Sequence, residues 1–114
     1  MSIKRGDIHV AALDPVIGRE IAKTRPVVVI SNDKNNQFSA TVTVIPLTSG
    51  KPEKEYPFEV FLPKGVGDLP KDSRAKADQI RTIDKSRLAA FIGKLGTKEM
   101  SRIEDAIKVH LQLP

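Results

Sequence analysis

Hydrophobic and polar residues alternate along most of this chain. In the segment Thr41 to Thr48, Val42 and Val44 fall on one face and Thr41, Thr43 and Ile45 on the other, the period-two pattern of a half-buried strand. Pro46 has no N–H to offer a neighbour, which predicts an edge or a bulge near the end of that strand. Asp7 to Leu13 alternates in the same way, and Arg25 to Ser31 contains the extended run Pro26-Val27-Val28-Val29-Ile30. Tyr56 to Leu62 predicts another strand with Phe58, Val60 and Leu62 on one side, and Asp72 to Ala77 and Gln79 to Ile83 predict shorter ones. Turn-rich linkers separate these runs: Asp14 to Gly18, Ser31 to Ser39, Ser49 to Glu55 and Pro63 to Asp68. Arg87 to Leu95 fits a short helix or a strand, and is taken as a strand from Ala89 onward. Behind Thr97, a candidate N-cap, Met100, Ile103, Ile107 and Leu111 recur at helical spacing and predict a C-terminal amphipathic helix. The pattern predicts a mainly β protein with helices, an α+β fold built as a small antiparallel β-barrel with one helix face packed on it.

Composition narrows the chemistry. The 114 residues suit one domain spanning the whole chain, 1–114, and 39% hydrophobic content suits one modest core. No run of about 18 apolar residues is present, and Met1 to Val10 lacks the apolar core of a signal peptide, so the expectation is a cytoplasmic protein without a membrane partner. With no cysteine and two distant histidines, His9 and His110, neither a thiolate nor an imidazole-rich metal site is expected, and no cofactor. The net charge of +5 favours a polyanionic partner.

The ordered set of short motifs is more specific than any of these numbers. Arg5-Gly6-Asp7-Ile8, Gly18-Arg19-Glu20, Arg25-Pro26, Ser31-Asn32-Asp33, Thr41-Val42, Pro57-Phe58-Glu59-Val60 and Asp78-Gln79-Ile80-Arg81-Thr82-Ile83-Asp84-Lys85 follow one another almost end to end. In that order they resemble the MazF/PemK family of bacterial toxins. The resemblance implies an SH3-like barrel and a homodimer, acting as a sequence-specific, metal-independent endoribonuclease (an mRNA interferase). It also implies single-stranded RNA and a cognate antitoxin as partners competing for one groove, with operator DNA met only through the antitoxin complex.

Cutting RNA without a metal uses the neighbouring 2′-OH as nucleophile. A group must accept its proton, another must protonate the departing 5′-oxygen, and the charge growing on phosphorus must be stabilised. Glu20, Arg25 and Thr48 offer a carboxylate, a planar guanidinium and a hydroxyl, on a loop, at a strand start and at a strand end, where side chains can converge on one rim. The resemblance implies that Arg25 is the catalytic arginine, that Thr48 donates to the scissile phosphate and that Glu20 is functionally required, as proton acceptor or as the group orienting Arg25. Arg19 and Lys23 surround Glu20 with positive charge, and Ser49 stands beside Thr48; these are candidate RNA contacts.

Asp78 and Gln79 lie between two strand-like segments. The PemK branch implies a catalytic aspartate at Asp78 with an arginine two residues earlier, but that place holds Lys76, so the Arg25 and Thr48 pair is preferred and Asp78 is assigned to RNA binding. Gln79 both donates and accepts, which suits reading a base edge. His9 is expected to be structural, His110 to lie on the exposed face of the last helix, and Phe38 either to stack on a ligand or to anchor in the core. Four Phe, one Tyr and no Trp provide few stacking platforms, unlike an RRM or a single-strand-binding OB surface. The rival reading is a non-catalytic toxin of the same fold, related to the gyrase-poisoning CcdB proteins, or a protein- or DNA-binding module. A poison of that kind has no need of a phosphate-holding trio.

Overall fold

The computed structural model describes residues 2–114. Its elements run β1 (Asp7–Ala12), β2 (Thr24–Val29), α1 (Asp33–Phe38), β3 (Thr41–Ser49), β4 (Glu59–Leu62), β5 (Ser73–Lys76), β6 (Arg81–Asp84), β7 (Leu88–Lys94) and α2 (Thr97–Leu111). The seven strands form one antiparallel sheet in the order β4-β5-β3-β2-β1-β7, with β6 also paired to β3. The end strands β4 and β7 do not pair with each other, so the α+β class holds and the barrel is left open. The turn at Val66–Asp68 after β4 leans on β7 instead: a side chain at Gly93 would strike the Gly67 carbonyl. Glycine is therefore required at Gly93 by close backbone approach.

Alternation decides what each face buries. Ile8, Val28, Ile45, Leu47, Val60 and Leu62 share one cluster with Met100, Ile103 and Ala106 of α2, while Ala11, Leu13, Val27, Val29, Val42 and Val44 form a second. Consecutive valines of β2 thus serve opposite faces, as expected for a run that is apolar throughout. The helix anchor Ile103 is 1% exposed, a burial worth about 1.5–3 kcal/mol.

Several expectations are refined. Pro46 is buried inside β3 rather than ending it. It opposes Val27 on β2, and on its other side β3 has passed from β6, paired at Thr41 to Val44, to β5, paired at Leu47 to Ser49. A missing N–H is tolerated in that gap. The N-cap of α2 is Gly96, not Thr97, and its N–H bonds Glu99 Oε1 at 3.2 Å. The Ser31 to Ser39 linker contains α1, capped by Asn32 Oδ1, which accepts from Asn35 N at 2.8 Å. Phe38 is 75% exposed and does not anchor the core.

Candidate functional site

Strand register brings part of the candidate set to one face. Val27 opposes Pro46, so two residues further along each strand Arg25 and Thr48 come to the same face, and Thr48 in turn opposes Arg74 of β5. Arg74 opposes Phe61 on β4, and Lys76 opposes Glu59. A row of Arg25, Thr48, Arg74 and Phe61 therefore crosses four strands, with Lys76 and Glu59 in the row beside it.

Arg25 is half-buried, and its Nε donates to Ala22 O at 2.9 Å. That bond fixes the plane of the guanidinium. Among the described residues its terminal nitrogens have no other hydrogen-bond partner, so they can take two oxygens of a phosphate. Beside Arg25 opens a cavity of about 390 Å³ lined by Lys23, Ser49, Lys71 and Ser73 over a floor that includes Leu47. Its cations and hydroxyls suit an anion. Ser49, not Thr48, lines this cavity; Thr48 sits on the opposite side of β3, facing Arg74.

The loop between β1 and β2 carries Arg19 and Glu20, both exposed. Glu20 Oε1 accepts from Ile17 N at 2.7 Å, a local turn contact, and forms no ion pair with Arg25. Lys23 is exposed; its N–H donates to Asp14 Oδ1 at 3.1 Å and its carbonyl accepts from Leu13 N at 2.9 Å, which closes the loop's neck. Gln79 reaches the same loop, accepting from Ile21 N at 3.3 Å. Thus Gln79 holds the Glu20 loop over the sheet, a task besides any base reading.

Asp78 is part of a charged cluster whose members sequence spacing does not connect. Its Oδ2 lies 4.0 Å from Lys76 Nζ, and its Oδ1 is buried with no hydrogen-bond partner among the described residues. Lys76 Nζ is also 3.3 Å from Glu59 Oε2, and Arg74 Nη1 is 3.5 Å from Glu59 Oε1. Arg74 and Glu59 were not candidates from sequence. The alternation Ser73-Arg74-Ala75-Lys76 does place two cations on one strand face; what it lacks is the register that sets them beside Thr48. His9 is buried, 3.7 Å from Asp7 and edge-on to Phe91, in keeping with a structural role, and His110 is exposed on α2.

Comparisons with known proteins point one way. The sequence pattern of the family described as PemK-like, MazF-like toxin of type II toxin–antitoxin system matches residues 4–111. The chain is 39% identical over 116 residues to endoribonuclease MazF9 of Mycobacterium tuberculosis, covering 97% of this chain and 98% of that protein. It is 38% identical over 113 residues to endoribonuclease EndoA of Bacillus subtilis, with 99% and 97% covered. Among solved structures it resembles MazF of Deinococcus radiodurans, with a TM-score of 0.84, 25% identity and 99% of each chain covered. A MazE–MazF structure from the same organism matches with a TM-score of 0.77 and 25% identity, covering 100% of this chain and 99% of that one.

Proposed function

Because the chain belongs to the family of PemK-like, MazF-like toxins of type II toxin–antitoxin systems, we propose a specific course for its reaction. The protein is an endoribonuclease toxin. In the proposed reaction it cuts single-stranded mRNA without a metal, at a preferred sequence: the 2′-OH attacks the adjacent phosphorus, the P–O5′ bond breaks, and a 2′,3′-cyclic phosphate and a 5′-OH remain.

The observation that carries this reading is the β2–β3 register which, continued two residues past Val27 and Pro46, turns Arg25 and Thr48 to the same face, with Arg25 held by Ala22 and no further partner on its terminal nitrogens among the described residues. Arg25 clamps the phosphate oxygens and stabilises the phosphorane, and Thr48 donates to the same oxyanion. Lys23 and Ser49, which line the adjoining cavity, hold a neighbouring phosphate, and Arg19 contacts RNA from the loop. Glu20 accepts the 2′-OH proton once its loop carries it in from its contact with Ile17. A second reading gives that proton to Asp78, whose buried, partnerless Oδ1 is an acceptor in want of a donor.

The relatives solved with MazE support an antitoxin partner. A cationic groove takes an acidic, disordered tail for the reason it takes phosphate, and RNA and antitoxin then exclude each other. A homodimer covers the open β7 end of the sheet and the exposed Phe91. Operator DNA is met only through the antitoxin. Among the described residues no helix is long and apolar enough to cross a membrane. The test is an oligonucleotide containing the preferred site with a single deoxy substitution at the scissile sugar. It should bind and resist cutting; cleavage at the ribose rate would overturn the 2′-OH mechanism.

A further inference from the structure

On the same sheet face as Thr48, but beyond the reacting groups, the β4 edge carries a second hollow of about 180 Å³ bordered by Tyr56, Glu59, Phe61, Arg74, Glu55 and Arg102. We propose that this hollow is a guanine-binding subsite for a nucleotide flanking the scissile phosphate. The proposal rests on the nuclease reading above and names what that reading leaves open, a determinant of sequence preference.

Position is the first argument. Arg74 is directly opposite Thr48 on the next strand and Phe61 directly opposite Arg74, so the hollow begins one strand from the proposed site, at about 5 Å per strand. That is within reach of a nucleotide adjoining the one cleaved.

Shape is the second. Tyr56 is 41% exposed, yet its ring is not loose: it stacks on Phe58 at 5.1 Å between centroids and 23° between planes, and Phe58 meets His110 of α2 at 6.4 Å. A ring held by Phe58 and otherwise covered only by the long, exposed Lys54 side chain, which swings aside as a base arrives, is a stacking platform at the hollow. Lys54 Nζ stands over the same ring, 5.8 Å from its centroid, an exposed cation that can pair with the phosphate of a stacked nucleotide.

Hydrogen-bonding chemistry selects the base. Glu59 has a side chain only 6% exposed and is caught between Arg74 and Lys76, which orients the Arg74 guanidinium from below. Nη1 of Arg74 is thereby committed. The edge formed by Nε and Nη2 has no acceptor among the described residues, and Nε is buried without one. The paired acceptors O6 and N7 of guanine match such an edge, while the exposed carboxylate of Glu55 can accept from its N1–H and N2–H. Adenine and the pyrimidines do not present both a double acceptor edge and a double donor edge. Arg102 adds charge for the phosphate.

The chain provides its own probe: Tyr56 is the single tyrosine and there is no tryptophan, so intrinsic fluorescence reports this ring alone. Short RNAs with a non-cleavable deoxy scissile sugar, differing only by G, A, C or U at each flanking position, are titrated against the full chain. At one position guanine should quench Tyr56 and bind at least about 5-fold more tightly than the other bases, the low end of a bidentate contact. Arg74→Lys keeps the charge but not the fork and should erase that difference. Tyr56→Ala should raise KM about 5- to 150-fold, the scale of one stacked base, and Tyr56→Phe, which keeps the stacking face, should recover most of that loss. Thermal melts confirm that each variant folds. Base-independent fluorescence, or an unchanged guanine preference in Arg74→Lys, overturns the subsite. Guanine-selective quenching by a protein that cuts no RNA would overturn the nuclease reading and leave the subsite standing; cleavage without base-selective quenching would do the reverse.

Discussion

Replacing Arg25 separates its chemistry from its packing. Among the described residues its guanidinium makes one hydrogen bond, from Nε to Ala22 O at 2.9 Å, and the side chain is half-buried. Truncation to alanine removes that bond, a loss of about 0.5–1.5 kcal/mol at most for a partly solvated group. For a domain of this size that lowers the melting temperature by about 2–12 °C, at roughly 4–8 °C per kcal/mol. The transition state loses far more. A preorganised donor aimed at developing charge contributes about 2.7–4 kcal/mol, so the single-turnover rate should fall about 100- to 1000-fold. Arg25→Lys retains the charge without the two-pronged geometry and should recover less than half of that loss in free energy. The assay is single-turnover cleavage of a quenched fluorescent RNA, run beside a thermal melt of each variant. Wild-type cleavage by Arg25→Ala would refute the site. A melt lowered by more than about 15 °C would show that Arg25 is chiefly a structural residue, since one surface hydrogen bond cannot account for it.

Three further outcomes follow from particular contacts. Gly93→Ala drives a Cβ into the Gly67 carbonyl and should cost about 1–3 kcal/mol in urea denaturation, whereas Gly50→Ala, whose Cβ meets nothing within 4 Å, is strained only by its positive φ and should cost less. The Arg5 N–H, 2.7 Å from Asp33 Oδ1, holds the Asp33 carboxyl below its ordinary 3.8. A folded-state pKa below the unfolded one gives stability that is present above about pH 4 and lost on acidification, so Asp33→Asn should flatten the acid limb of a pH–stability curve; an unaltered limb would count against the contact. Glu20→Gln should lower kcat and flatten the acidic limb of the pH–rate profile while Asp78→Asn mainly affects binding or folding, and the reverse pattern would move the proton acceptor to Asp78.

The strands were legible because alternation is a local signal. Val42 and Val44 in β3, and the apolar run of β2, declare their faces without reference to the rest of the chain. Helix α1 was hidden, since its start is secured by the Asn32 side chain and not by a hydrophobic stripe, and Asn36, the buried residue within it, is polar. Pro46 misled because its tolerance depends on β3 changing partners beside it, a fact of topology. The site divides along the same line. Arg25 and Thr48 stood out by type, place and family resemblance, but their common face follows from register, and so does the position of Arg74 next to Thr48. No spacing announces that Glu59, fifteen residues before Arg74, is the carboxylate that holds it.

The central claim is a metal-independent cut by 2′-OH attack at a face organised around Arg25. Its most direct test incubates the purified chain with a long RNA in excess EDTA and identifies the chemistry of both new ends. Cleavage is expected at one short preferred sequence, leaving a 2′,3′-cyclic phosphate or its opened product on one fragment and a 5′-OH on the other, with Arg25→Ala at least about 100-fold slower under the same conditions. Cleavage that requires added Mg²⁺, or that leaves a 5′-phosphate, would contradict it.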